Sequence, residues 1–345
     1  MNAIDTLITL ADVRGSLDLR CQFQGDWALE HDQEVPGKAP FHLVLSGRCR
    51  VELTGGQRLD LTAGDILVLP SGAAHLLLSR GRRVSASIPD LVTGSLLAIK
   101  RFGDGDDLDL LCGHFIYQTD SSLFASLPDH LLTSSNTLGV SDPLPSLVSL
   151  LRSEADLDQP GAQFVVNALT SALFALVMRA YLRQSPKTEG TLALLADKRL
   201  SRAWQAMLED PARDWTTEAL ASLANMSRAA FLRSFTKLSG TSPGSLVTKV
   251  RMELACGLLS RSSHGLSDIA AQVGYQSQAA FSKVFKKPMG RRPASFGAMS
   301  MVSAPIFRSY QTTNNPLFFK NKTMPLFVAE TKNCGCGCGC GCGCF

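Results

Sequence analysis

Hydrophobic positions along the chain change their period from one region to the next. Residues 3–13 space their apolar side chains as a short helix does. Between about residues 39 and 88 the apolar runs are short, at 41–45, 49–53 and 66–69. They are broken by Ser46-Gly47, Gly55-Gly56 and Ala63-Gly64-Asp65. Short strands alternating with glycine turns predict a small β-sandwich or barrel. Residues 103–109 form an acidic loop, and a strand resumes at 110–117. Residues 143–154 and 161–184 read as helices. In the second, Phe164, Ala168, Leu169, Ala172, Leu173, Leu176 and Val177 recur at helical spacing. Asn167, Thr170, Ser171 and Arg179 interrupt this most apolar stretch, so a buried or dimer-forming helix is expected there and not a membrane span. Residues 185–190 are a breaker-rich linker. From there to about residue 296 the pattern is short helices with short connections, and after Met299 periodicity is lost.

Within the helical region a segment repeats at an offset of 50 residues. The pairs are Ser227/Ser277, Ala229/Ala279, Ala230/Ala280, Phe231/Phe281, Arg233/Lys283, Phe235/Phe285, Gly240/Gly290 and Pro243/Pro293. In each copy the serine can cap a helix, and the two phenylalanines, four apart, share one face. The basic residue between them points elsewhere, and Gly then Pro end the helix. Each copy follows another short helix, at 217–224 and 267–273. Helix, tight turn and capped helix with a basic face is the helix-turn-helix pattern.

Charge sharpens this picture. The 345 residues carry a formal net charge of +4. Residues 1–197 hold 15 Lys+Arg against 23 Asp+Glu, a net of −8, whereas residues 198–297 hold 15 against 6, a net of +9. A basic half joined to an acidic half points to a polyanion partner for the second half alone. Six of the ten cysteines alternate with glycine at the C-terminus, leaving Cys21, Cys49, Cys112 and Cys256 in the globular part. That is too few for a disulfide framework, and the first ten residues have no basic run that would start a secretory leader. A reducing cytoplasm, with no membrane association, is the expected setting. The Cys-Gly tail suits a shifted reading frame or an added segment better than an evolved metal site.

Residues 197–296 resemble the AraC-type family of regulators. Leu220-Ala221, Met226-Ser227, Phe231, Arg233, Phe235 and Gly240 fit the family's first motif. Ile269-Ala270, Val273-Gly274-Tyr275, Ser277, Phe281, Lys283, Phe285, Gly290, Pro293 and Phe296 fit the second. The resemblance implies two motifs joined by a long helix, here about 242–260, entering successive major grooves roughly 34 Å apart on one face of promoter DNA. Carried over to this chain, the base-reading positions are Arg228, Ala229, Leu232 and Arg233 in the first recognition helix. In the second they are Gln278, Ala279, Ser282 and Lys283. Lys286 and Lys287, with Arg291 and Arg292, are expected on phosphates. Pro288 departs from the pattern and is expected to end the second recognition helix early. RNA polymerase and a second copy of the chain are further expected partners.

Residues 64–75 resemble the second cupin motif, with Gly64, Pro70, Gly72 and His75 at its spacing. The first cupin motif supplies two histidines and a carboxylate, and here His42 stands alone. His42, His75 and His114 are a candidate three-nitrogen metal set, although polar or core histidines of a barrel that has lost its metal are the favoured reading. No other cofactor is expected.

Cys21 follows Arg20, a cation that would favour thiolate, and Cys112 lies two residues before His114 on one strand, hence on one face. With the cupin motif and the spacing to the DNA module, this resembles the cupin-bearing members that sense reactive chlorine species by cysteine oxidation. Cys21 and Cys112 are the positions that fit.

The expectation is an α+β chain. Residues 1–125 form a cupin-like barrel sensor, 126–190 a helical connector, 191–297 a double helix-turn-helix and 298–345 an unstructured tail. The function implied is a non-enzymatic transcription regulator, an activator, switched through Cys21 and Cys112. The alternatives are a ligand-responsive regulator without thiol chemistry and a cupin metal enzyme fused to a DNA-binding module.

Overall fold

A computed structural model describes residues 2–79, 89–93, 96–105, 107–137, 142–157, 159–184 and 188–289. The chain is α+β, with a curled sheet followed by helices. A short helix α1 (Ala3–Leu10), capped by Asn2, leads into strand β1 (Arg14–Phe23). The apolar runs at 41–45 and 49–53 belong to one long strand, β3 (Lys38–Leu53). A register shift between Val44 and Ser46 bends it, so one strand serves two layers. Its first half pairs with β5 (Asp65–Val68) and β9 (Leu108–Ile116). Its second half pairs with β4 (Arg58–Thr62) and β6 (His75–Leu78). A bulge that turns a strand between layers is what closes a sheet toward a barrel.

Beside β9 lies β1, then β8 (Ala98–Phe102) and β7 (Asp90–Val92), while β10 (Leu131–Ser134) pairs with β5. The short β2 (Ala28–His31) pairs with β6 and places His31 directly opposite His75. All pairings are antiparallel except β1 with β8.

Strand alternation gives the sheet two apolar faces. The inner one buries Cys21, Phe23, Trp27, Val44, Cys49, Leu67, Leu110 and Cys112. The outer one, with Phe41, Leu43, Leu111 and Phe115, is covered by helices α2 (Pro143–Asp156) and α3 (Ala162–Gln184). Phe115 meets Phe174 of α3 edge-on at 5.1 Å. Gly15 allows this approach: a Cβ there would lie 2.5 Å from the Thr170 backbone, and its N–H donates to Ser171 Oγ at 2.8 Å. Helix α3 is long and apolar enough by length and composition to cross a membrane, yet Val166, Thr170, Leu173, Phe174, Val177 and Met178 are buried against the sheet and its neighbours.

Helices α4 (Gly190–Ala196) and α5 (Leu200–Glu209) precede the repeat. Its first copy is α6 (Thr217–Leu223) and α7 (Arg228–Ser239), and its second is α9 (Leu266–Gln272) and α10 (Gln278–Met289). Helix α8 (Pro243–Arg261) joins them. Ser227 Oγ accepts from the Ala230 N–H, Ser277 Oγ from the Ala280 N–H, and Gly240 ends α7 in the left-handed region at φ +71°. Helix α10 does not stop before Pro288. A proline one residue from the helix end removes a single ladder bond, so the helix carries it through to Met289. The tail lies outside the described residues.

Candidate functional site

The repeat builds one helix pair twice. Phe231 and Phe235 are fully buried with ring centroids 5.4 Å apart, and Phe281 and Phe285 reproduce both the burial and the spacing. Burying that stripe turns the opposite faces of α7 and α10 outward. Arg228, Ala229 and Arg233 are exposed on α7 with Leu232 half-buried. Gln278, Ala279, Lys283 and Lys286 are exposed on α10 with Ser282 half-buried. Arg228 rests on Glu218 of α6, 3.0 Å away and equally exposed, so this pair holds the side chain only weakly. The side chain of Lys287, and all of Arg291 and Arg292, lie outside the described residues.

Arg251 of α8 ties the two motifs together, which sequence reasoning missed. It donates to the carbonyls of Pro211, Ala212 and Arg213 at 2.7, 3.2 and 3.0 Å beside the first motif, and to that of Gly274 in the second motif's turn at 3.4 Å.

Inside the barrel Cys21 and Cys112 meet. Cys21 of β1 and Cys112 of β9 are buried, unbridged, and 4.0 Å apart at Sγ. Register sets the third member. His42 of β3 faces Cys112 directly across the ladder, with Nδ1 3.2 Å from Sγ. His42 Nε2 meets His75 Nε2 at 2.8 Å, and His75 Nδ1 lies 2.8 Å from the Ala73 carbonyl. His31 stacks on His75 at 4.6 Å, and its Nδ1 is buried without a hydrogen-bond partner among the described residues.

Electrostatics make this a neutral cluster. Burial, then the neighbouring His31 and His75, holds His42 well below the usual imidazole range. Burial also lowers His75, and burial followed by His75 and Lys100 takes His31 down to about 3. A carbonyl can only accept, so His75 carries its proton on Nδ1 and offers a lone pair at Nε2. His42 must then donate from Nε2, which leaves its Nδ1 to accept from the Cys112 thiol. The polarity runs from Cys112 through His42 and His75 to Ala73.

Three sequence expectations are corrected. His114 does not join His42 and His75, nor does it reach Cys112; its Nδ1 sits 2.6 Å from Asp18 Oδ2, because the β1 register shift between Leu17 and Leu19 brings that carboxylate to it. His31 takes its place in the three-histidine cluster, whose donor atoms lie within 4.8 Å of one another. Arg20 does not activate Cys21. Neighbours on a strand point to opposite faces, and Arg20 makes two bonds to the buried Asp109, at 2.7 and 2.5 Å, and one to Asp156. The Cys112 thiol is not acidic either: its close approach to Cys21, and then burial, push it well above its ordinary value.

The cluster fits the metal that cupins often hold. Three neutral imidazoles converge, one is already oriented through its outer nitrogen by a carbonyl, and one has an orphaned buried nitrogen. No carboxylate completes the set, so an ion there would keep open positions.

The helix-turn-helix region packs onto the N-terminal domain through α8. Glu253 is 1% exposed; its Oε1 accepts from Ser122 N at 2.7 Å and Ser122 Oγ at 2.5 Å, and its Oε2 has no partner among the described residues. Arg261 reaches Asp12 at 2.7 Å.

A curled cupin sheet joined to paired helix-turn-helix motifs is the architecture of a DNA-binding transcription regulator. Residues 2–183 match the cupin family, and residues 220–299 match the helix-turn-helix domain family. The chain is 39% identical over 299 residues to an HTH-type transcriptional regulator of Haemophilus influenzae, spanning 86% of this chain and 98% of that one. It is 31% identical to the HTH-type regulator MtrA of Neisseria gonorrhoeae (86% and 98% of the two chains). With the RCS-specific transcriptional activator RclR of Escherichia coli it shares 28% (86% and 97%). This chain belongs to the AraC-type transcription regulators that carry an N-terminal cupin domain.

Proposed function

We propose that this regulator is a cytoplasmic activator of transcription whose DNA binding is switched by joining Cys21 to Cys112 in a disulfide. The observation that carries this reading is the 4.0 Å approach of the two buried thiols. A disulfide needs its sulfurs at about 2.05 Å, so a shift of about 2 Å within a packed sheet closes the bond. Two thiols give up two electrons and two protons to a two-electron oxidant, and one S–S bond forms. Because both thiols are buried, a small, uncharged oxidant is the kind that reaches them. A reactive chlorine species, the kind of signal in the name of the E. coli relative, has that character.

The movement has a path out of the barrel to α3. β1 and β9, which carry the thiols, also carry Gly15 and Phe115 against α3. Residues 1–125 act as sensor in this reading, residues 126–190 as connector and residues 191–297 as DNA module. Arg228, Ala229, Leu232, Arg233, Gln278, Ala279, Ser282 and Lys283 read bases, and Lys286 and Lys287 hold phosphates. Phe164, on the exposed side of α3 at 80% exposure, is the centre of a homodimer contact, and the DNA-bound protein recruits RNA polymerase.

One test is selection of binding sites from random duplexes with reduced and mildly oxidised protein, repeated for Cys21→Ser and Cys112→Ser. The expected result is a site of two short elements about one helical turn apart, bound differently in the two redox states. That difference disappears in both variants. A response that persists in both variants would sink the thiol switch. A second reading, a ligand-responsive regulator, draws on a cleft of about 280 Å³ lined by Tyr117, Asp120, Phe124 and Lys249 between sensor and α8.

A further inference from the structure

We propose that Lys100 is a chlorine relay: its amine takes chlorine from hypochlorous acid and hands it to Cys21, so that the thiol pair answers to reactive chlorine ahead of other oxidants. This rests on the thiol switch proposed above and names the group that selects its oxidant.

The placement follows from strand pairing. β8 runs parallel beside β1, and Lys100 stands directly opposite Cys21. Partners side by side in a sheet share a face, and residues two apart along a strand share it too. Two neighbouring pairs fix which face this is. One residue on, Arg101 Nη2 donates to Gln22 Oε1 at 2.9 Å, and that pair lies on the side away from Cys21. Two residues on, Phe102 meets Phe23 edge to face at 5.1 Å in the inner apolar cluster. Lys100 therefore shares the inner side with Cys21, Cys112 and Phe23, where Arg20 does not reach. Its charge is felt there. After the close approach of Cys21 and burial, Lys100 is the influence that works to lower Cys112, and it adds to burial and His75 in lowering His31. Lys100 is half-buried whereas both sulfurs are buried, and its flexible four-carbon stem keeps the amine within reach of solvent. An oxidant entering from solvent can meet the amine before it reaches a sulfur.

Hypochlorous acid transfers chlorine to an amine, and a thiol oxidant such as diamide does not. In the first step the Lys100 ammonium and hypochlorous acid give an N-chloramine and water, with one proton released to solvent. The N–Cl bond then breaks: Cys21 Sγ takes the chlorine and the amine nitrogen takes the Cys21 hydrogen, leaving a sulfenyl chloride. Cys112 Sγ, 4.0 Å away, displaces chloride to form the S–S bond, and the proton it gives up restores the ammonium. One hypochlorous acid and two thiols become one disulfide, one water, one chloride and one proton. The two electrons lost by the sulfurs are those gained by chlorine. Adjacent strands about 4.8 Å apart hold donor and acceptor side by side for the transfer.

The test follows Cys21–Cys112 disulfide formation by mass spectrometry in the full chain, with Cys334, Cys336, Cys338, Cys340, Cys342 and Cys344 changed to serine so that tail thiols do not consume the oxidant. Lys100→Arg keeps the charge without a primary amine, and Lys100→Met removes both. With hypochlorous acid, both variants should form the disulfide about tenfold more slowly than the parent, since the positioned donor is gone. With diamide, both should match the parent, which also shows that the variants keep their thiols in place. In Cys21→Ser the chlorine should stay on the peptide that carries Lys100, as one chlorine in place of one hydrogen. A parent rate with hypochlorous acid in Lys100→Arg would overturn the relay. So would equal slowing of the variants by both oxidants, which would give Lys100 a packing role. A parent that forms no disulfide with either oxidant would overturn the thiol switch itself, and the relay with it.

Discussion

Glu253, on the helix joining the two helix-turn-helix motifs, accepts hydrogen bonds from both the N–H and the hydroxyl of Ser122 of the N-terminal domain. The carboxylate is buried, and burial raises it from the ordinary 4.5 to about 7, against the opposing effect of the two Ser122 bonds. Lys249 and Asp120 are the charged groups that bear on it. A carboxyl whose folded value is raised binds more protons folded than unfolded, so stability falls as pH rises from about 4.5 to about 7 and then levels off. Between pH 5 and pH 8 the protein should lose about 2–3 kcal/mol of stability that Glu253→Gln does not lose. Denaturant unfolding of both proteins across that range checks it, and parallel pH profiles would rule the coupling out.

Arg251 makes four carbonyl contacts that tie α8 to the loop before the first motif and to the turn of the second. Arg251→Ala should cost about 2–3 kcal/mol, since it strands acceptors that a charged donor satisfied. It should also loosen the angle between the two recognition helices. In binding assays with the two DNA elements moved apart by one base pair, the variant should discriminate less between spacings than the parent does. Equal discrimination would mean that packing around α8 alone sets the angle.

The exposed faces of α7 and α10 give different predictions for different cations. Arg233→Ala should cost about 1–3 kcal/mol at the preferred site and relax selectivity at one position, as expected for a base reader. Lys286→Ala should weaken all sequences alike and lower the salt slope by about one, as expected for a phosphate contact. Titrations of specific and scrambled duplexes at several salt concentrations separate the two behaviours.

Much of the DNA module was legible in the chain itself. The Phe pairs, Ser227, Ser277 and Gly240 act within a single helix and its ends, where spacing translates directly into geometry. Local sequence therefore located the helices, their caps and the face turned outward. It was less reliable at Pro288, where it gave the rule against proline in helices more weight than the position so near the end allows. The histidine cluster was half legible. The cupin spacing marked His75, and His42 stood in an apolar strand, but His31 carried no signal of its own.

What the sequence determined, then, is what short-range periodicity encodes: helices, turns, the repeat and the basic face. What only the tertiary structure decided is which strands became neighbours. The pairing of β2 with β6 brought His31 to His75, and that of β3 with β9 set His42 against Cys112. The shifted register between β1 and β9 left His114 to Asp18. Strand partners are chosen by the burial of whole faces and by bulges far away in the chain, and a shift of one residue moves a side chain to the other side of the sheet.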